Sequence, residues 1–304
     1  MIEAILLTVA TAATPLLLAA IGELVVERSG VLNLGVEGMM IVGAVAAFIM
    51  AQATGNPYLG ALAGMAAGVG LSALFALLAV WLVTNQVATG LALTIFGLGV
   101  AGMVGEGFVG LPGVKLSVIE LPVLSEIPVL GPLLFRQDAL FYASLAITLA
   151  VAVFLFRSRA GLRLRAIGEA PTAAHALGLP VLRTRTLAVL FGGACAGLAG
   201  AQLTLVYTTQ WIENVTAGRG WIALALVVFA SWRPWRVVVG AYLFGAVTIA
   251  QFHAQALGVR LPSQLLAALP YLATIVVLVL IASNRRFTLV NTPASLGRPF
   301  VPDR

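Results

Sequence analysis

Few of the 304 residues carry groups that could do chemistry, and their spacing argues against most kinds of it. His175 and His253 lie far apart, with no partner at metal-ligand spacing. The single cysteine, Cys195, excludes an intramolecular disulfide; inside Gly192-Gly193-Ala194-Cys195-Ala196-Gly197 it reads as a small packing residue. No G-x-x-x-x-G-K-[ST] phosphate loop, no H-E-x-x-H and no G-x-S-x-G is present. The sequence therefore offers no catalytic residue, no metal site and no cofactor site. What remains is a small set of polar residues inside apolar runs. Glu37 sits in Asn33-Leu34-Gly35-Val36-Glu37-Gly38. An acid at bilayer depth costs ~2.5–3.5 kcal/mol on insertion scales, so its presence asks for a function. Asn33 and Glu37 are four apart and would share a helix face. They could line a passage for a polar solute, or clamp a helix break between Gly35 and Gly38. Thr89 and Thr94 follow Asn85-Gln86 and could turn inward, although a short polar turn explains them equally. Gln210, Glu213, Asn214 and Arg219 surround Trp211 and Trp221. Such a mix can stack on and hydrogen-bond a flat polar solute, or form an interfacial aromatic belt. Glu106, between two glycines near a helix end, would reach interfacial water.

The elements that must position these residues follow from composition. The chain is 61% hydrophobic and only 9% charged, with a mean hydropathy of +1.07. Ordinary soluble domains carry about 25% charged residues, so a soluble enzyme and a disordered chain are excluded. The net charge of +6 forms no dense basic stripe on a soluble fold, which argues against nucleic-acid binding. The apolar runs are continuous rather than alternating, which excludes a transmembrane barrel. The expected fold is all-α, a polytopic transmembrane helical bundle with about nine spans, eight to ten being the range compatible with helices of ~20 apolar residues. The spans fall near residues 4–22, 31–50, 57–83, 87–108, 139–156, 186–206, 217–232, 236–256 and 265–283. The first lacks the basic start of a signal peptide and reads as a retained helix.

Orientation follows from Lys and Arg near helix ends. With Arg157, Arg159, Arg163, Arg165, Arg183 and Arg185 placed in the cytoplasm, all but four of the 17 basic residues fall on that side. The exceptions are Lys115, Arg136, Arg219 and Arg260. The N-terminus is then outside and the C-terminus inside. Residues 1–304 form one transmembrane domain. It has an external Pro-rich loop at 109–138, a cytoplasmic loop at 157–185 and an extended cytoplasmic tail at 284–304. Gly60, Gly64 and Gly68, and likewise Gly193, Gly197 and Ala201, predict close helix packing. Gly97, Gly99, Gly102, Gly105 and Gly107 mark a possible broken helix. Trp232-Arg233-Pro234-Trp235-Arg236 reads as an interfacial turn.

In the cytoplasmic loop, Pro171 suits a helix first turn, Gly178 suits its stop and Pro180 lies beyond. A short helix with a small-residue surface results, able to dock in another protein's cleft or to lie on anionic lipid. Its Gly168-Glu169-Ala170…Ala173-Ala174…Gly178 spacing resembles the coupling helix of ATP-binding-cassette importer permeases. Three more segments resemble one branch of that superfamily: Ser29-Gly30-Val31-Leu32-Asn33-Leu34-Gly35-Val36-Glu37-Gly38-Met39-Met40, the Asn85–Thr94 run, and Thr216-Ala217-Gly218-Arg219-Gly220-Trp221. Taken in order, these four segments are similar to permeases for branched-chain amino acids and simple sugars, and most of all to nucleoside-type importers. The resemblance implies a bacterial inner-membrane, multi-pass subunit that takes up a nucleoside, or else a sugar or branched-chain amino acid, by alternating access. It implies a second related permease in a heterodimer, a cytoplasmic ATP-binding cassette that hydrolyses ATP, and an external substrate-binding lipoprotein or periplasmic protein, all in membrane lipid. Gly168, Glu169, Ala170, Ala173, Ala174 and Gly178 would couple to the ATPase. Asn33, Glu37, Thr89, Thr94 and Trp221 would line the path. A stand-alone secondary transporter would instead show intramembrane ion pairs, of which the sequence offers few.

Overall fold

The structure, a computed structural model, describes residues 2–120, 135–256 and 291–302, with isolated positions between 268 and 279. Among the described residues ten α-helices run in the order α1 (Ile2–Arg28), α2 (Val36–Thr54), α3 (Pro57–Ala76), α4 (Gln86–Gly105), α5 (Ala139–Arg157), α6 (Arg159–Glu169), α7 (Pro171–Ala176), α8 (Val181–Gln202), α9 (Arg219–Phe229) and α10 (Pro234–Ala256). α3 and α8 each continue into a wider π-helical turn, Leu77–Trp81 and Leu203–Tyr207. The strands described are β1 (Val118–Glu120) and β2 (Arg136–Asp138), an antiparallel pair.

Local chemistry sets the helix starts. Asn56 accepts from the N–H groups of Tyr58 and Leu59, with Pro57 at the first helical position. Asn85 caps α4, and Asp138 caps α5 through the N–H groups of Leu140 and Phe141. Each cap satisfies a donor that the first helical turn leaves open.

Seven of the described helices are long and apolar enough to cross a membrane. Three expectations need correction here. The run at 217–232 is an eleven-residue helix, α9. At 1.5 Å per residue it is about 16 Å long, roughly half the ~30 Å hydrocarbon core. The first helix continues past residue 22 to Arg28, so it carries Glu23 and Glu27 into the bundle. α8 likewise starts at Val181 and takes in Arg183 and Arg185. The span expected at 265–283 lies largely outside the described residues.

The core is built on α1, α2, α3 and α8, whose backbones meet through glycine. Gly43 faces the backbone of Gly197, Gly64 faces Gly43 and Ala201, and Gly200 lies on the Met40 carbonyl. Cys195 is buried against Gly22, a packing residue as its neighbours predict. α4 is not broken at its glycines. Gly97 packs on Gly38 and Gly105 on Trp211, while Gly99, Gly102 and Gly107 meet open space.

The bundle has two ends. One gathers Arg28, Arg165 and Arg233 around α6 and α7; we call it the near end. The far end carries the β1–β2 ribbon and residues 109–116, where the N–H of Gly113 donates to Thr209 and that of Leu116 to Leu205.

Candidate functional site

The chain leaves α8 at the far end and does not turn straight into another full span. Residues 208–218 dip back into the bundle without regular structure, and α9 then completes the passage to the near end. Thr209, Asn214 and Ala217 hold positive φ in this stretch, as do Ser231 and Trp232 past the other end of α9. Non-glycine residues in that region store strain of order 1–3 kcal/mol each and persist only where their surroundings hold them. Gly218, at φ +80°, is the residue that can start a helix from such a backbone at no such cost.

Glu37 is what holds the start of α9. It lies in the first turn of α2, 3% exposed. One carboxyl oxygen accepts from the Thr216 hydroxyl at 2.6 Å and the Gly218 N–H at 2.8 Å, the other from the Gly220 N–H at 2.6 Å. A Cβ on Gly220 would collide with the Glu37 backbone, so glycine is required there. The open N–H groups and dipole of a helix N-terminus favour an anion. Here the anionic group belongs to another helix of the same chain. The sequence allows a path lining or a clamp on its own helix; the hydrogen bonds make Glu37 a clamp from α2 to the start of α9.

The other sequence-predicted residues have differing places and roles. Asn33 precedes α2, so the expected helix face shared with Glu37 does not exist. Its Oδ1 accepts from the Gly35 N–H at 2.9 Å, closing its own turn, and its N–H donates to Glu23. The Thr94 hydroxyl donates to the Leu34 carbonyl at 3.0 Å. Thr89 sits nearer the start of α4, its hydroxyl 2.8 Å from that of Thr84. Trp221 is half-buried against the main core, one residue beyond Gly220. Trp211 is fully buried against Gly105, a core anchor rather than a belt or stacking residue. Arg219 lies over the Tyr207 ring at 5.0 Å.

At the near end, α7 follows the punctuation read from the sequence. Pro171 opens it, and Gly178 turns the chain at φ +78°. Thr172, Ala173, Ala176 and Leu177 face outward, while Ala174 is buried with Ile167, Val181 and Phe300. Gly168 packs against the Arg28 carbonyl. The sequence reading had one short helix in this loop; α6 is a second, amphipathic helix with Leu164 and Ile167 inward.

Residues 291–302 strap this region down. Ser295 donates from both its N–H and its hydroxyl to the Gly168 carbonyl, at 3.0 and 2.7 Å. The Gly297 N–H donates to Gly30, and the Ala294 N–H to Glu169. Arg185 donates to the Ser29 carbonyl, the Arg298 carbonyl and the Ser295 hydroxyl. The corner continues into α9. The Trp232 indole donates to Glu27 at 2.6 Å, and Arg28 donates to the Trp232 carbonyl. The turn at 230–233 is thus anchored inward by Trp232, while Arg233 and Trp235 lie open, Trp235 under Arg236.

Sequence reasoning missed Glu23, Glu27, Arg185, Ser295 and the partners of Glu37. A signal existed for two of them. Glu23 and Glu27 are four apart at the end of an unbroken helical run, and acids at such positions face the protein interior. Groups of His, Cys, Asp and Glu able to hold a metal are absent among the described residues.

Comparison with known proteins bears on this arrangement. A family described as the permease component of branched-chain amino acid transport systems matches residues 5–282. TsgC13 of Haloferax volcanii, provisionally named a glucose ABC transporter permease protein, is 43% identical over 88% of each chain. The nucleoside ABC transporter permease protein NupC of Lactococcus lactis is 33% identical, and the guanosine ABC transporter permease protein NupQ of Bacillus subtilis 32%, again over 88% of each chain. No solved structure matches the chain.

Proposed function

The chain belongs to the permease family of branched-chain amino acid transport systems, and we propose that it moves a neutral, hydroxyl-bearing ring solute, a nucleoside first and a simple sugar second, across the membrane by alternating access. It is an ABC transporter permease and a multi-pass inner-membrane protein. In the proposed system the N-terminus is outside, the near end faces the cytoplasm, and residues 1–304 form one permease domain. ATP is hydrolysed by a separate cassette, the solute arrives on an external binding protein, and a second related permease completes the pathway.

One observation supports this mechanism above the others: α9 is a half-helix strained at both ends, and its near end is tied to the same corner as α7. Discontinuous helices in transporters place their termini near the midplane and move as units. A cassette pushing on the exposed Ala173 and Gly178 bears on Ala174, buried beneath them, and on Gly168, Glu169 and Ala170 behind. Ser295 and Arg185 carry that displacement to residues 28–30. Glu27 and Arg28 then carry it through Trp232 to α9. The far end of α9 bears on Glu37, so rotation of the half-helix would open or close the corner formed by Asn33, Glu37, Thr89, Thr94 and Trp221. The relatives named for glucose and for nucleosides share a hydroxylated ring as cargo, which supports the solute class.

The test is reconstitution in liposomes with the cognate cassette and binding protein. ATP-dependent uptake of guanosine or adenosine in preference to glucose and leucine is expected. Glucose uptake alone would move the solute to sugars and keep the mechanism. Uptake by the isolated chain under an ion gradient, without ATP, would overturn the mechanism itself.

A further inference from the structure

Beside the near-end corner lies a cavity of ≈ 510 Å³ that the proposed mechanism does not use. It opens between α1, α5, α6 and α8. α5 makes its main contacts with α1 and α6 rather than with α8. The two helices therefore part toward the near end, and Val151 and Phe154 face Ala188 and Phe191 across a gap. The walls are apolar. Leu187 both lines the cavity and is 67% exposed, so the mouth opens sideways. Leu149, Val153 and Phe156 stand exposed on the same outer band of α5, which places that mouth against hydrocarbon.

The floor has a different chemistry. α6 folds back beneath the gap and sets Arg163 on its rim, the one charged residue among those lining the cavity. Arg159 lies one helical turn away on the same exposed face. Neither makes a hydrogen bond or ion pair among the described residues. Thr184, the other polar group of the lining, already donates its hydroxyl to Pro180. Two like charges a turn apart, with no acid among the residues lining the cavity, repel each other unless an anion joins them. An apolar slot opening to hydrocarbon, with two arginines unpaired among the described residues where the chain leaves the membrane, has the two halves of a phospholipid site. Basic pockets between helices on the cytoplasmic side take anionic headgroups.

We propose that this cavity holds one acyl chain of an anionic phospholipid, with its phosphate on Arg163 and Arg159. The site requires only that the chain sits in a membrane; it does not depend on what the protein transports. The full-length protein would be equilibrated with vesicles of phosphatidylcholine and phosphatidylglycerol at three to one, extracted, and examined by native mass spectrometry. One retained phosphatidylglycerol is expected, in clear excess over phosphatidylcholine. Arg163→Gln should lower that retention about fivefold, the factor equivalent to about 1 kcal/mol for one basic residue at an anionic surface. Ala150→Phe, which fills the slot, should lower retention of both lipids. Equal retention of the two lipids, or unchanged phosphatidylglycerol on Arg163→Gln, would overturn the proposal. So would a polypeptide retained in place of lipid. Arg163 is exposed and outside the core, so that variant decides the question even where Ala150→Phe fails to fold.

Discussion

Glu37 and Arg185 solve the same problem with opposite signs. Glu37, deep in the bundle, takes three donors at the start of α9: one hydroxyl and two backbone N–H groups. Arg185, at the near end and 2% exposed, gives to three acceptors where α1 ends: two carbonyls and one hydroxyl. Neither has an ion-pair partner among the described residues. Each charged group instead sits on the helix terminus of opposite dipole, an anion at an N-terminus and a cation beyond a C-terminus. Buried charge is tolerable when hydrogen bonds saturate it, and removing one side leaves the other stranded. The two sites differ in what they hold. Glu37 fixes a strained half-helix inside the core, and Arg185 fixes a strap over the surface. Loss of the first should be global, and loss of the second local.

Glu37→Ala should therefore have the largest effect on the fold. It strands the Thr216 hydroxyl and the N–H groups of Gly218 and Gly220 in a dry interior, at about 1–3 kcal/mol for each unsatisfied group. A loss of about 3 kcal/mol or more is expected, read as a sharp fall in melting temperature and in monodisperse yield from detergent. Glu37→Gln keeps one acceptor and should lose roughly half as much. If Glu37→Ala melts with the unsubstituted protein, the half-helix is held by packing alone and the contrast with Arg185 collapses.

Arg185→Met keeps most of the side-chain volume and removes the guanidinium. Its cost should fall on residues 291–302, with about 1–2 kcal/mol of local stability lost as Ser29, Ser295 and Arg298 lose their donor. Hydrogen exchange checks this. The amides of Ser295 and Gly297 should lose about tenfold protection, since tenfold corresponds to 1.4 kcal/mol, while the cores of α2, α3 and α8 keep theirs. A global loss instead would make Arg185 a second Glu37.

The two sites were also unequally legible in the sequence. α7 could be read because its signals are local: Pro171 opens it and Gly178 closes it, within eight residues. The glycine rows of α3 and α8 were legible for the same reason, since their period is that of a single helix. The clamp on α9 was not. Glu37 stands 179 residues before Thr216, and nothing in either segment names the other. In the stretch Thr208–Asn214 the polar Gln210, Glu213 and Asn214 are exposed; the part that could not be read is Trp211, buried against Gly105 of a helix that the local sequence does not mention. Asn33 was misplaced for a related reason. Four-residue spacing predicts a shared face only where a helix runs, and α2 begins at Val36. The first span ends at residue 22 in the sequence reading, short of Glu23 and Glu27, which lie inside α1. An apolar-run criterion stops at the first acid, and here the acids are buried.

The smallest structural effect belongs to the surface that the strap supports. Leu177 ends the outward face of α7 and is 82% exposed. Leu177→Asp removes no packing, so its effect on stability should stay within about 0.5 kcal/mol. A buried anchor at a protein interface is worth 2 kcal/mol or more. If α7 docks in a cassette cleft, Leu177→Asp should then cut co-purification of the ATPase at least tenfold while the melting temperature stays fixed. If α7 instead lies on lipid, the same substitution leaves ATPase retention unchanged and weakens only the contact with anionic vesicles. The two outcomes separate a coupling surface from an interfacial helix, because a folded permease is present in both and only the partner differs. Pairing Leu177→Asp with Arg185→Met extends the separation. The first should remove the partner and leave the strap intact; the second should keep the partner bound and loosen the backbone through which its displacement would reach α9.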